Sequence, residues 1–270
     1  MKGFVMKWIK VALQFFVGAA AVAVFLYQRN KNERLESELV ELKGDYRKLL
    51  FDKYMPYGHG KTVTKEKRDE IAGLFQKIAN AYDNENLEEM REYMRIVSPD
   101  YCKLFYADRH AISACFDFRK RFLWNENLRS FDNVENFEKF MRLNLEAALF
   151  VGEMDVLMKD DFGANLERLM LCRLIKYKEK FAKDGLLELE ASAGRFLSYW
   201  IAFIESDNGF SRRWAKFIIE YNEFVKFMRP EETKTREELL HSVRSSASSF
   251  RRWGYDPKWL KEYEENVETP

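Results

Sequence analysis

The chain has 270 residues, of which 47% are hydrophobic and 16% aromatic, with Phe at 23 positions; this is core-forming material and excludes an intrinsically disordered chain. Its 45 lysines and arginines balance 44 aspartates and glutamates to a net charge of +1, so no global field draws it to nucleic acid or to an acidic partner. Cys102, Cys115 and Cys172 include no C-x-x-C pair and no closely spaced histidine that would complete a zinc tetrahedron, which argues against a zinc site.

The chain opens on an uncharged apolar run from Val11 to Tyr27, broken by Gln14 and Gly18, between Lys2, Lys7, Lys10 and Arg29, Lys31, Arg34. A backbone crossing hydrocarbon must satisfy its own N–H and C=O groups, so the run is expected to be a helix, reaching roughly 25 Å. That is enough for a bilayer core, and Trp8 and Tyr27 suit its two interfaces. Residues 1–30 therefore read as a single-pass membrane anchor, with Val11, Phe15, Phe16, Val22 and Phe25 among its lipid-facing apolar residues. A cleaved signal peptide is the rival, with Ala19-Ala20-Ala21 or Ala21-Val22-Ala23 as its cleavage site. The retained anchor fits better because Val24, Phe25, Leu26 and Tyr27 prolong the run past each site. A buried core helix is disfavoured by charges that cluster at both ends and avoid the middle. Basic residues stand equally on both flanks and leave the orientation open; the scattered cysteines fit a reducing compartment and so the cytoplasmic side, with one disulfide in an oxidising space as the alternative.

Residues 31–54 follow without a Pro or Gly cluster. Leu35, Leu39, Leu42, Tyr46 and Leu49 recur at alternating spacings of four and three among Glu33, Glu36, Glu38, Glu41, Lys43 and Arg47, the pattern of a short heptad seam. The reading is a stalk that continues the anchor as one helix and serves self-association or distance setting, against an amphipathic helix lying on its own domain. Gly44 is its weak point.

Residues 55–63, Met-Pro-Tyr-Gly-His-Gly-Lys-Thr-Val, break the helical pattern and form a linker. Gly60-Lys61-Thr62 resembles the end of a phosphate-binding loop, but that motif needs a Gly at position 55, which is Met, and a preceding strand.

From residue 64 to 270 the apolar spacing is helical almost throughout. Ile71, Leu74, Phe75, Ile78 and Tyr82 form one face, and after the turn Asp83-Asn84-Glu85-Asn86 a second helix carries Leu87, Met90, Met94 and Val97. Ser98-Pro99 starts a helix through Phe105, Ile112 and Phe116 toward Trp124, with a local strand over 112–118 as the alternative. Asp132 with Glu135 resembles a capping box opening a helix through Phe137, Phe140, Met141, Leu145, Leu149 and Met154 to about Met158. Leu166, Met170, Leu174, Tyr177 and Phe181 mark the next, which Asp184-Gly185 stops. Leu189, Phe196, Trp200, Ile201 and Ile204 mark a third, and beyond Asp207-Asn208-Gly209 the residues Phe210, Trp214, Phe217, Ile218, Tyr221, Phe224, Val225 and Met228 mark a fourth that Pro230 ends. Trp200, Trp214, Phe217 and Tyr221 are expected to fill the core rather than line a ligand cavity. A helix near Thr235–Arg252 and a short one started by Asp256-Pro257 close the chain. The fold class is all-α: an anchor, a coiled-coil-like stalk, and a multi-helix bundle or helical-hairpin array.

Chemical motifs are sparse. Arg244, Arg251 and Arg252, beside serines and Trp253, form a patch suited to phosphate groups or an anionic lipid surface, against the plainer reading of arginines at a helix C-terminus. Glu238-x-x-His241 has the spacing of half a di-iron site, but no second copy exists. Asp161-Phe162-Gly163 lacks the other segments of a kinase and reads as a turn between helices. A tethered enzyme would have to assemble its site from distant groups, among them His110, Cys115, Asp117, Glu153, Asp155 and His241. No catalytic residue, metal ligand or cofactor is assigned. The leading expectation is a membrane-anchored helical interaction or scaffold protein whose partners are the membrane and a protein, a second copy through the stalk included, with no nucleic acid.

Overall fold

A computed structural model describes residues 27–50, 64–97, 128–157 and 162–268. All regular structure among the described residues is helical, and the chain divides into two compact units, Met1–Pro56 and Tyr57–Pro270. The anchor residues Trp8, Val11, Phe15, Phe16, Val22 and Phe25, the linker, and the helix expected from Ser98 toward Trp124, with its strand alternative over 112–118, lie outside the described residues. Among the described residues, no helix is long and apolar enough to cross a membrane.

In the first unit, one helix, α1, runs over residues 27–50. Arg29 reaches Glu33 and Arg34 reaches Glu38, each at 2.9 Å and four residues apart, the spacing at which side chains share a helix face.

The second unit begins with α2, Lys65–Asp83, whose N-cap Thr64 accepts the Lys67 amide at 3.3 Å. A tight turn, with Glu85 at φ 54°, returns the chain into α3, Leu87–Ile96, capped by Asn86. This is the helical hairpin expected from the Asp83–Asn86 turn. Helix α4, Val134–Leu157, starts differently from expectation: Asn133, not Asp132, is its cap, accepting the Asn136 amide at 2.9 Å. The Asp/Glu spacing was one residue out of register with the backbone amide that needs a partner.

Helix α5, Phe162–Lys183, is central and packs on α4 and on three later helices. It closes as the Asp184-Gly185 signal implied: Gly185 takes φ 70°, its amide bonds to Ala182 O, and the Leu186 amide reaches back to Phe181 O at 2.9 Å. Two carbonyls of the last turn are thereby satisfied. Helices α6, Leu187–Glu205, and α7, Phe210–Met228, both pack against α5. After the 3-10 turn Pro230–Glu232 come α8, Arg236–Arg252, and α9, Lys258–Glu268.

The core is continuous and strongly aromatic. Phe137 of α4 meets Phe181 edge-on at 5.1 Å and Tyr177 at 5.4 Å, both on α5, and Phe131 stands 5.2 Å away; such pairs add about 0.5–1.5 kcal/mol each beyond area burial. Further along, Trp200 stacks on Phe203, which meets Phe210 edge-on. On α7 the expected core face is only partly correct. Phe210, Ala215 and Ile218 are buried, whereas Trp214, Phe217 and Tyr221 line a half-exposed flank, Phe217 stacked on Tyr221 and Trp214 tilted against Phe217. The buried stripe of α7 runs through Phe210, Ser211, Ala215, Ile218, Asn222 and Phe224, mixing large apolar side chains with small and polar ones.

Candidate functional site

Two kinds of surface could serve a function: the stalk seam and the concavities of the helical unit. On α1 the seam residues all fall on one continuous helix. Leu35, Leu39, Leu42 and Leu49 are exposed at 52%, 50%, 69% and 68%, and Tyr46 at 52%. Gly44, on the same helix, has open space where a Cβ would stand. The helix thus carries a leucine seam in water, while the apolar stripes of α2 and of α4 to α9 are largely buried. An exposed line of large apolar residues costs free energy unless something covers it.

Among the described residues, three concavities of the helical unit stand out. One of about 360 Å³ lies between α2, α4 and α5 and is lined by polar groups of all three. At its floor the fully buried Asn144 accepts from the Tyr82 hydroxyl at 3.1 Å and from Arg173 at 3.0 Å, and donates to Phe140 O at 2.8 Å. Burial pushes the Tyr82 phenol up to about 12, with Arg173 opposing. Tyr177 accepts the Arg129 amide at 3.0 Å, and Arg129 pairs with Glu85. The groups are thus bound to one another, as a network that joins three helices.

A second concavity, about 390 Å³, lies between α4 and α6. Glu138 on its wall takes Arg195 at 2.7 Å and Ser192 at 3.0 Å, and these bonds hold its carboxyl below the usual range against a smaller effect of burial. The third, about 640 Å³, lies between α3, α4 and α7; its charges pair as Arg91 with Glu146 and Arg213 with Glu153, the latter through two bonds of 2.6 and 3.2 Å.

The residues of the enzyme alternative are not brought together among the described residues. His110, Cys115 and Asp117 lie outside them; Glu153 is held by Arg213, Asp155 is fully buried, and His241 is exposed on α8. Glu238 turns out to be a capping residue: its carboxylate accepts the Thr235 amide at 2.7 Å while Thr235 Oγ1 accepts the Glu238 amide. Burial pushes the Cys172 thiol up, away from the thiolate that nucleophilic chemistry requires. Among the described residues, no group of three or more His, Cys, Asp or Glu side chains is placed to hold a metal ion.

The arginine patch is exposed, and two of its members are ion-paired within the chain: Arg244 meets Glu264 at 2.9 Å and Arg251 meets Asp256 at 3.1 Å. Asp256 is therefore an ion-pair partner and not the cap of α9, correcting the reading of Asp256-Pro257. That cap comes from α6: both carboxylate oxygens of Glu205 accept the Lys258 amide, at 3.1 and 3.2 Å.

Glu167 is a feature the sequence reading missed. It lies fully buried on α5 and accepts the Phe210 and Ser211 amides at 2.5 and 2.9 Å, taking over the N-terminus of α7, whose own cap Gly209 has no side chain. Burial pushes its carboxyl up to about 7 despite these bonds. Its partners lie on another helix forty residues on, so no local motif announces it.

Neither the family models, nor the curated proteins, nor the solved structures contain a significant match to this chain.

Proposed function

We propose that the protein is a single-pass membrane-anchored helical interaction protein. Residues 1–30 hold it in the bilayer, residues 31–54 form the stalk that joins it to a protein partner, residues 55–63 link, and residues 64–270 form a helical domain on the cytoplasmic side. The observation that carries this reading is the leucine seam of α1, exposed along two heptads of one helix. An interaction surface explains an apolar stripe in water more simply than does a catalytic role, which would need converging reactive groups. The apolar run Val11–Tyr27, flanked by basic residues, supports the anchor.

Fractionation of cells expressing the full chain tests the anchor. The intact protein should sediment with membranes, resist an alkaline wash and need detergent for release, and a chain lacking residues 1–30 should be recovered in the soluble fraction. Recovery of the intact chain without detergent would overturn the anchor. In sealed inverted vesicles, whose cytoplasmic face is outside, added protease should digest residues 64–270; protection would move the domain to the other side.

A further inference from the structure

The heptad positions around the seam identify what covers it. With Leu35, Leu42 and Leu49 at position d, position a holds Asn32, Leu39 and Tyr46. Leucine at each d is what parallel coiled-coil pairs favour, and a lone a-position asparagine is the residue that selects two strands and one register, by pairing with its own copy. Position g then holds Lys31, Glu38 and Asp45, and position e holds Glu36, Lys43 and Leu50. In a parallel pair, g of one helix faces e of the next heptad on the other. Lys31 therefore meets Glu36, and Glu38 meets Lys43, and two-fold symmetry repeats both. Arg34 already binds one carboxylate oxygen of Glu38 within the helix, and the second oxygen suffices for a lysine across the seam. The outer position f holds Ser37 and Gly44, small residues that contribute nothing to a seam.

The antiparallel arrangement through the same leucines is worse on two counts. It sets Asn32 against Leu49, leaving the amide without a partner, and it sets Glu38 against Asp45, which repels. A single anchor at the N-terminal end of each stalk also requires the parallel direction.

We infer that the partner of the stalk is a second copy of this chain: α1 pairs in parallel and in register, Asn32 facing Asn32, with Lys31 and Lys43 bridging to Glu36 and Glu38 of the other copy. This rests on the proposal that the stalk is the interaction surface and names its occupant. The seam spans fewer than the three or four heptads of an independently stable coiled coil, so confinement of both copies to one membrane supplies the effective concentration that the short seam lacks.

Cysteine cross-linking of the full chain in native membranes tests the pairing, with the unsubstituted chain as the measure of what Cys102, Cys115 and Cys172 contribute. Leu42→Cys should give a disulfide-linked dimer under mild oxidation, because d positions face each other within disulfide reach in register. Ser37→Cys, on the outer face, should give no more dimer than the unsubstituted chain. Absence of dimer from Leu42→Cys, equal yields from both variants, or a mixture of Leu39→Cys and Leu42→Cys exceeding Leu42→Cys alone would each overturn the parallel register. Charge exchange is the second readout. Leu42→Cys chains also carrying Lys31→Glu and Lys43→Glu should lose roughly tenfold or more of their self-dimer. They should recover it when mixed with Leu42→Cys chains carrying Glu36→Lys and Glu38→Lys; no loss, or no recovery on mixing, would refute the assigned pairs. Failure here with the intact chain still in the membrane fraction defeats the pairing alone, whereas loss of the intact chain from that fraction defeats the anchor whatever the cross-links show.

Discussion

A carboxylate taken out of water at the N-terminus of a helix feels two opposed effects, loss of hydration and attraction to unpaired amides, and at Glu167 the first is larger. With its carboxyl near 7 in the folded chain and near 4.5 ordinarily, Glu167 binds more protons folded than unfolded between those values. Its contribution is therefore fully present below pH 4.5 and is lost as pH rises through 7, by about 3 kcal/mol in all. Urea unfolding at a series of pH values should show that decline in the parent chain and a flatter profile in Glu167→Gln; equal slopes would refute the assignment. Gly152 is a steric counterpart. A Cβ there would lie 2.1 Å from the Phe210 ring, so Gly152→Ala should cost about 1–3 kcal/mol in thermal unfolding. Gly152→Ala with Phe210→Leu should recover part of it, since the smaller side chain vacates the overlap.

At the level of elements, helix ends divide into those closed locally and those closed by another part of the fold. Thr64, Asn86, Asn133 and the Thr235–Glu238 box are local. Thr235→Ala removes the acceptor for the Glu238 amide and should cost about 1 kcal/mol, read as lower thermal stability and faster amide exchange in the first turn of α8. The starts of α7 and α9 rely on Glu167 and Glu205 instead. Asn222 serves a similar end, bonding the amide and carbonyl of Lys234 at 2.8 and 3.2 Å and pinning the segment before α8 to α7. On α1, Gly44 meets no neighbour, so Gly44→Ala should stabilise that helix by about 1 kcal/mol through backbone entropy alone. Slower amide exchange over residues 40–48 would register the gain; faster exchange would place Gly44 at a packed or bent position.

On the scale of the whole molecule, the division at Pro56 and Tyr57 separates a helix whose apolar residues are exposed from a unit with its own aromatic core. Burial within residues 57–270 is then what sets that unit's stability. A chain beginning at Tyr57 should keep its helical circular dichroism and melt at the parent temperature within error; a clear fall would show that the first unit contributes to the second.

Sequence periodicity alone made most helices legible, because a 3.6-residue apolar repeat has one economical way to leave water, and Asp184-Gly185 marked the end of α5 because glycine adopts the left-handed backbone there without strain. The heptad seam is legible for the same reason, since its meaning lies in spacing along a single helix. What only the tertiary structure decided is which polar groups meet. Asp132 gave way to Asn133 and Asp256 to Glu205, and Glu167 capped α7 where no local acceptor was expected, because an orphan amide takes whichever acceptor the packed helices bring to it. Trp214, Phe217 and Tyr221 likewise follow a helical spacing, yet the neighbours of α7 left them on its flank. Periodicity reports that a face is apolar; only the fold determines what that face is packed against.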